Sequence, residues 1–192
     1  RRPPRSTPKP SSAASDVYKR QGENKVQELV KKYEDLPKDI NWHLIGKLQR
    51  NKVKYIAPFI HLIHSVDSER LLNQINKEGD KNNRIINVLL QIKISNDPLK
   101  TGFEYSELGD MFSGSIFLKY KFVKIIGFMG IGSIDQSKNE KEFKKISDYF
   151  NKINKIHDLK YLSLGMSNDY KLAIKYNSNM IWIGSLIFGS RN

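Results

Sequence analysis

Cysteine is absent from the 192 residues of this chain, which excludes disulfide bonds, thiolate nucleophiles and cysteine-ligated metals. No apolar run approaches the roughly 20 residues that a membrane-spanning helix needs, and the N-terminus has no apolar segment typical of a secretory signal. Neither G-x-G-x-x-G after a first strand nor G-x-x-x-x-G-K-[ST] occurs, so a nucleotide-binding doubly wound fold has no support. These absences predict a cytoplasmic protein without a membrane partner.

Acidic residues are scarce, since 20 Asp and Glu stand against 33 Lys and Arg and the net charge is +13. A basic excess of this kind is found in nucleic-acid-binding proteins. Here the lysines are scattered over predicted helix faces, with neither an arginine-rich helix nor an alternating basic and aromatic stripe. We interpret the charge as general composition and predict no nucleic-acid partner, with nucleic-acid binding as a remote alternative.

Residues 1–21 form a segment that is rich in Pro, Ser and Arg and has almost no apolar content. Such a composition cannot bury enough surface to fold, so the segment is predicted to be disordered. The letters SSAASDVYKRQ at its end resemble translated adapter sequence, which suggests a non-native leader. Residues 22–192 are predicted to form the folded domain.

Six apolar runs predict strands, and most are followed by an amphipathic helical pattern. The predicted strands lie at residues 41–46, 59–66, 85–95, 124–132, 161–166 and 180–186, and the clearer helices at residues 22–35, 47–58, 67–77, 104–117 and 139–157. Apolar strands that alternate with such helices are typical of a parallel sheet covered by helices. Polar or glycine-bearing strand ends favour a (β/α)8 barrel. Because eight strands are needed, we predict an α/β barrel that lacks one or more βα units before Gly22.

Small residues follow two neighbouring predicted strands near the C-terminus. Gly165-Met166-Ser167 follows the first strand and Gly184-Ser185 follows the second. Glycine lets a ligand approach the backbone, serine hydroxyls donate hydrogen bonds, and a following helix N-terminus attracts anions. Ordinary βα turns also favour Gly and Ser, but two such turns at the same edge of a parallel sheet favour a phosphate site.

Two of the four histidines, His61 and His64, lie on one predicted strand. Three residues apart, their side chains are expected on opposite faces of that strand, where they make a poor metal pair. We therefore predict no metal site.

Eight short segments resemble the pyridoxal phosphate homeostasis proteins of the YggS type, in the order and spacing of that family. They are G-E-N-K-V-Q-E (22–28), W-H-L-I-G-K-L-Q-R-N-K (42–52), H-S-V-D (64–67), V-L-L-Q-I-K-I-S (88–95), K-T-G (100–102), G-F-M-G-I (127–131), L-S-L-G-M-S-N-D (162–169) and I-G-S-L-I-F-G-S-R (183–191). The resemblance implies a fold type III barrel, similar to the N-terminal domain of alanine racemase, that binds pyridoxal 5′-phosphate (PLP).

The resemblance also implies the residues that contact the cofactor. Ser167, Gly184 and Ser185 correspond to the phosphate-binding positions, and four further residues match positions that line the pocket: Asn24, His43, Met129 and Ser163. Structural alternatives remain for three of them, since His43 can satisfy a core hydrogen bond, Asn24 can cap a helix and Met129 can be ordinary core.

Two departures from the family pattern stand out. Family members carry a Schiff-base lysine on a strand upstream of G-E-N, whereas no lysine of residues 22–192 occupies that position, which indicates a truncated family member. The family usually has arginine immediately before I-G-[ST], and Trp182 stands there with one neutral N–H donor.

The resemblance predicts a non-catalytic, monomeric PLP-binding protein of vitamin B6 and amino-acid homeostasis. The alternative is a PLP-dependent amino-acid racemase. Racemases of this fold need a second, C-terminal β-domain and a tyrosine base opposite the lysine, and the chain shows neither in a recognisable form.

Overall fold

In the part of the chain that the structure describes, the sheet contains seven parallel strands. The computed structural model describes residues 19–114 and 119–189. Each strand pairs with the next along the chain, in the order β1 to β7. The strands are β1 (Arg20–Glu23), β2 (Asn41–Leu44), β3 (Leu62–Val66), β4 (Ile86–Ile92), β5 (Val123–Gly130), β6 (Tyr161–Met166) and β7 (Met180–Trp182).

Helices connect these strands, as parallel pairing requires. They lie at Val26–Asp35, Val53–Ile56, Glu69–Lys81, Tyr105–Ser113, Asn139–His157, Tyr170–Lys175 and Ser185–Phe188, with 3-10 turns at Arg50–Lys52 and Gln136–Lys138. Among residues 19–114 and 119–189, no helix is both long enough and apolar enough to cross a membrane. The strands and helices together form the predicted α/β barrel.

The apolar residues separate into two clusters on the two faces of the sheet. The larger cluster lies between strands and helices, where Val88 and Leu90 of β4 meet residues such as Phe143 and Ile146 of the helix Asn139–His157. A second set, which we call the apolar cluster, consists of Leu62, Leu89, Ile126 and Met129. Because β4 contributes to both sets, its nearly continuous apolar sequence is explained by burial on both faces.

Strand β1 was not predicted from the sequence. Its residues, RQGE, carry no apolar pattern, yet Arg20 pairs with Asn41 and Gln21 pairs with Trp42 of β2. The prediction that disorder extends through residue 21 is therefore wrong for Arg20 and Gln21, because backbone pairing with β2 gives these polar residues their regular structure. The rest of the predicted leader, residues 1–18, lies outside the described residues, and its origin stays a prediction.

Among the other boundaries that differ from the predictions, two stand out. The last strand ends at Trp182, and Ser185–Phe188 is a short helix, so the predicted strand at residues 180–186 is too long. The predicted basic helix at residues 47–58 is reduced to the 3-10 turn Arg50–Lys52 and the helix Val53–Ile56. In the first case a short apolar pattern fits a strand and a short helix equally well. In the second case the helical type is right, and only its length differs.

The two outer strands of the sheet, β1 and β7, are in contact through the side chain of Trp182. Within the described residues, the named partner of β1 is β2 and that of β7 is β6. A Cβ atom added to Gly22 of β1 would lie only 2.3 Å from Cζ3 of Trp182 on β7, so the indole ring packs directly on the glycine backbone. The barrel is thus nearly closed, and Trp182 fills the remaining space between β7 and β1.

Candidate functional site

A pocket of about 100 Å³ lies at the carboxyl ends of the strands, where parallel barrels bind their ligands. Three of the predicted cofactor contacts line it: Asn24, Met129 and Ser163. Asn24 follows β1, Met129 lies near the end of β5 and Ser163 lies in β6, so residues distant in sequence meet here. Trp182 also lines this pocket.

Backbone geometry at Gly165 shapes one wall of the pocket. This residue has a φ of +92°, which side-chain-bearing residues rarely adopt, and an added Cβ would lie 2.6 Å from Cβ of Ala173. Glycine is therefore required for β6 to pass into the G-M-S turn while the following helix packs against it.

The two turns predicted to bind phosphate contact each other. The Ser167 hydroxyl oxygen accepts hydrogen bonds from the backbone N–H of Gly184, at 3.2 Å, and of Leu186, at 3.4 Å. Gly184 and Ser185 are exposed, and Ser167 is half-buried. With its oxygen accepting these bonds, the Ser167 hydroxyl keeps its proton for an external acceptor. The hydroxyl protons of Ser167 and of the exposed Ser185 therefore remain as neighbouring donors that suit an anion.

Ser167 lines a groove that is separate from the pocket and larger than it. A groove of about 440 Å³ on the neighbouring surface is lined by Ser167 together with Asn139, Asp169, Lys171 and Leu186. The candidate phosphate contacts therefore lie beside the pocket that holds Ser163, and Asp169 borders both spaces.

Asp169 fixes the G-M-S turn, and sequence reasoning gave it no role. Its Oδ1 accepts the backbone N–H of Met166 at 2.7 Å, and its Oδ2 accepts the Nδ2–H of Asn139 at 3.1 Å. An Asp that accepts a backbone N–H within its own turn is a known turn-forming arrangement, so the N-D pair after G-M-S carried a usable signal.

His43 contacts the pocket only through other side chains. Its Nδ1 lies 2.9 Å from Nε2 of His64, and His64 Nδ1 lies 3.2 Å from Oγ of Ser163. The indole N–H of Trp182 donates to the same Ser163 oxygen at 3.1 Å. We call these four residues, His43, His64, Ser163 and Trp182, the polar chain. They connect β2, β3, β6 and β7 inside the barrel.

Both histidines of the polar chain are held neutral. Burial lowers the pKa of His43 to about 3, with smaller contributions from His61 and Arg20. Burial also lowers the pKa of His64 well below its usual value, and His43 adds to the effect. Neutral imidazoles can donate through one ring nitrogen and accept through the other, so the polar chain is a network of neutral hydrogen bonds.

The expected opposite orientation of His61 and His64 is wrong. Both rings lie near the ring of His43, with centroid distances of 5.4 Å and 5.2 Å. His61 precedes the first residue of β3, so the alternation of side chains along a strand does not extend to it. Among residues 19–114 and 119–189, no three His, Cys, Asp or Glu side chains form a group that could hold a metal ion.

The donors and ring surfaces of the site fit a phosphorylated aromatic ligand. At the contact between the two turns, the hydroxyl groups of Ser167 and Ser185 are suitable donors for a phosphate group. Met129 and Trp182 supply apolar and aromatic surface beside them, and Nε2 of His43 is buried without a hydrogen-bond partner in the described part of the chain. Among the described residues no lysine lines the pocket itself, although Lys171 lines the neighbouring groove.

Sequence comparison identifies close relatives over most of the chain. Residues 11–192 match the family described as alanine racemase, N-terminal domain. The pyridoxal phosphate homeostasis protein of Aquifex aeolicus is 37% identical over 180 residues, which cover 88% of this chain and 76% of that protein. The protein of the same name from Schizosaccharomyces pombe is 37% identical over 176 residues, covering 88% and 73%.

Comparison with solved structures gives the same result. PipY of Synechococcus elongatus without PLP superposes with a TM-score of 0.81 at 31% identity, covering 92% of this chain and 85% of PipY. PipY with PLP bound gives a TM-score of 0.76 at 30% identity, with the same coverage. This chain therefore belongs to the alanine racemase N-terminal domain family, among the pyridoxal phosphate homeostasis proteins.

Proposed function

We propose that this protein binds pyridoxal 5′-phosphate and serves in PLP homeostasis without catalysing a reaction. The observation that carries the proposal is the contact between the two small-residue turns, where Ser167 meets the N–H groups of Gly184 and Leu186. The relatives named above are called pyridoxal phosphate homeostasis proteins, and PipY has been solved with PLP bound, which supports the same function here.

Each part of the site has a role in this proposal. The hydroxyl groups of Ser167 and Ser185 hold the phosphate, since hydroxyl donors form strong bonds with an anion, and the backbone N–H of Gly184 positions Ser167 beside it. Met129 supplies apolar surface for the ring, and Asn24 and Ser163 supply polar contacts at the pocket wall. His43 supports Ser163 through His64. When bound, PLP supplies an aldehyde that condenses with amines.

The pocket lining favours a binding role over racemisation. Racemisation needs groups that remove and return a proton on opposite sides of the substrate carbon. The lining contains neither lysine nor tyrosine, and its one carboxylate, Asp169, accepts hydrogen bonds from Met166 and Asn139. The nearby imidazoles of His43 and His64 are buried and form the polar chain. The lining of this pocket, as far as the described residues form it, therefore lacks a pair of free acid and base groups.

The proposal is tested by titrating the protein with PLP and recording the cofactor absorbance. We expect saturable binding, and we expect Ser167→Ala to weaken it about tenfold or more, because a hydrogen bond to a charged group is lost. Ser106→Ala, on an exposed position of the helix Tyr105–Ser113, is the matched control and should bind PLP as the unmodified protein does. Equal affinity of the Ser167 variant and the control would contradict the assigned phosphate site.

A second measurement separates the two candidate functions. Borohydride reduction of the protein with PLP, followed by mass spectrometry, should give no adduct at a single lysine, because no lysine lines the pocket. Incubation with L-alanine and PLP should give no D-alanine above a control without protein. Enzyme-dependent racemisation would favour the racemase alternative. The monomeric state, the cytoplasmic location and the absence of a nucleic-acid partner stay predictions.

A further inference from the structure

The Ser163 hydroxyl is the point at which the polar chain reaches the pocket. A serine hydroxyl has one proton to donate and two lone pairs that accept. Its oxygen lies within hydrogen-bond distance of two nitrogens, Nε1 of Trp182 at 3.1 Å and Nδ1 of His64 at 3.2 Å. The indole nitrogen is always a donor, so one lone pair of Ser163 is occupied by Trp182. The direction of the hydrogen bond between Ser163 and His64 decides whether Ser163 offers a ligand a free lone pair or a free proton.

In one arrangement, Ser163 donates its proton to Nδ1 of His64. The proton of His64 is then on Nε2 and is donated to Nδ1 of His43, so the proton of His43 is on its own Nε2. That nitrogen is buried and has no partner within the described residues. This arrangement therefore leaves a buried N–H donor unsatisfied and gives the pocket a free lone pair of Ser163.

In the other arrangement, every bond of the polar chain runs in the opposite direction. His43 donates from Nδ1 to Nε2 of His64, and His64 donates from Nδ1 to the oxygen of Ser163. Both lone pairs of Ser163 are then filled, and its proton is free to donate into the pocket. Within the described residues, the polar chain is then left with an unpaired lone pair on Nε2 of His43 and with the Ser163 proton that a ligand can accept.

The cost of the unsatisfied group separates the two arrangements. His43 is 2% exposed and His64 is fully buried, so solvent does not reach the orphaned nitrogen. A buried N–H without a partner is rarer in proteins than a buried acceptor without one. Burial also holds both imidazoles neutral, so neither ring carries a second proton. The second arrangement satisfies every N–H of the polar chain.

We propose that His43 and His64 are fixed as Nδ1–H tautomers and that they, with Trp182, make Ser163 an obligatory hydrogen-bond donor toward the pocket. The ligand must then present a lone pair to Ser163. PLP presents lone pairs on its aldehyde and phosphate oxygens and on two further atoms of the ring edge, the unprotonated pyridine nitrogen and the oxygen at position 3, and the proposal places one of these two at Ser163. His64 acts as a positioning residue through Ser163. This inference rests on the proposed PLP-binding function for the identity of the ligand but not for the tautomers.

The tautomers are measured directly by two-dimensional NMR of the protein labelled with nitrogen-15 in its histidines. We expect the buried pair to show protonated Nδ1 and unprotonated Nε2, the reverse of the tautomer that free histidine favours in water. A protonated Nε2 on either His43 or His64 overturns the proposal. The measurement uses the unmodified protein without ligand, so it gives an answer even if PLP does not bind.

The ligand contact is measured with two analogues of PLP. One carries a methyl group on the ring nitrogen, which removes that lone pair, and the other has hydrogen in place of the oxygen at position 3. We expect one of the two to bind about tenfold more weakly than PLP, because one hydrogen bond is lost, and the weaker analogue identifies the atom that meets Ser163. Equal binding of PLP and both analogues overturns the proposal.

Two variants assign the effect to Ser163. In Ser163→Ala the difference between PLP and the weaker analogue should disappear, and persistence of the difference overturns the proposal. In Trp182→Phe one lone pair of Ser163 is released. The difference in affinity between PLP and the weaker analogue should therefore become smaller, while the His64 tautomer is kept. Trp42→Phe is the matched control, because Trp42 is buried on the outer face of β2 among the larger apolar cluster. If PLP itself does not bind, the proposed function fails, and the tautomer measurement still decides the arrangement.

Discussion

The interior of this barrel is divided into an apolar part and a polar part. The apolar cluster of Leu62, Leu89, Ile126 and Met129 comes from β3, β4 and β5 in the middle of the sheet. The polar chain of His43, His64, Ser163 and Trp182 comes largely from strands nearer the two edges, β2, β6 and β7. The difference indicates that the middle of the sheet supplies stability through burial, while the edges supply the directed groups that a ligand recognises.

The largest effect is expected from a deletion in the apolar cluster. Leu89 is fully buried, so Leu89→Ala removes buried surface and leaves a cavity, which lowers the free energy of unfolding by about 2–5 kcal/mol. Leu99→Ala is the matched control, because Leu99 is 89% exposed and its truncation should change that free energy by less than about 0.5 kcal/mol. Chemical denaturation measures both. Similar losses of unfolding free energy in the two variants would contradict the claim that the apolar cluster in the middle of the sheet supplies stability through burial.

Acid is expected to act on the polar chain and to leave the apolar cluster unaffected. Burial lowers the pKa of His43 from 6.5 to about 3, whereas the unfolded chain takes up a proton near pH 6.5. The stability contributed by this neutral histidine is therefore full above pH 6.5 and falls as the pH drops toward about 3. The slope is about 1.4 kcal/mol per pH unit for each such group.

Denaturation curves recorded between pH 7 and pH 4 test this dependence. Because the pKa of His64 is also lowered by burial, His64→Asn should flatten the dependence relative to the unmodified protein. Leu62→Val, a change in the apolar cluster, should lower stability by a similar amount at every pH. An unchanged slope in His64→Asn would show that this histidine is not held neutral by the fold.

A smaller effect is expected where Trp182 closes the barrel against Gly22. A Cβ at Gly22 would meet two ring atoms of Trp182, at 2.3 Å and 2.7 Å, so Gly22→Ala should cost about 1–3 kcal/mol through overpacking. Adding Trp182→Val should recover part of that loss, since it removes the ring. Gly109→Ala is the control, because no atom lies within 4 Å of its added Cβ. Independent, additive effects of the Gly22 and Trp182 changes would contradict the packing of the indole on β1.

The sequence predicted the middle of the sheet better than its edges. Strands β4 to β6 were predicted correctly because their apolar runs are long. Ser167, Gly184 and Ser185 were predicted as phosphate contacts because small residues follow two successive strands, and this assignment stays a prediction. β1 was missed because RQGE has no apolar pattern and depends on pairing with β2. The end of β7 was also predicted poorly, because a strand of three residues is too short for its boundary to be read from an apolar pattern.

The polar chain could not be predicted from local sequence. His64 meets His43 across 21 residues and Ser163 across 99 residues, and no periodicity relates these positions. His43 and Ser163 were predicted only as cofactor contacts, through the resemblance to the family. Their hydrogen-bond partners, and the role of Trp182 between them, depend on how the strands are placed around the barrel.

The central claim is that the contact between the two small-residue turns forms a phosphate site for PLP. It is tested most directly by the affinity for PLP of the unmodified protein, Ser167→Ala and the control Ser106→Ala, measured by absorbance titration under one set of conditions. We expect saturable binding by the unmodified protein and the control, and about tenfold or more weaker binding by Ser167→Ala. Absence of saturable binding by the unmodified protein, or equal binding by all three proteins, would contradict the assignment of this site.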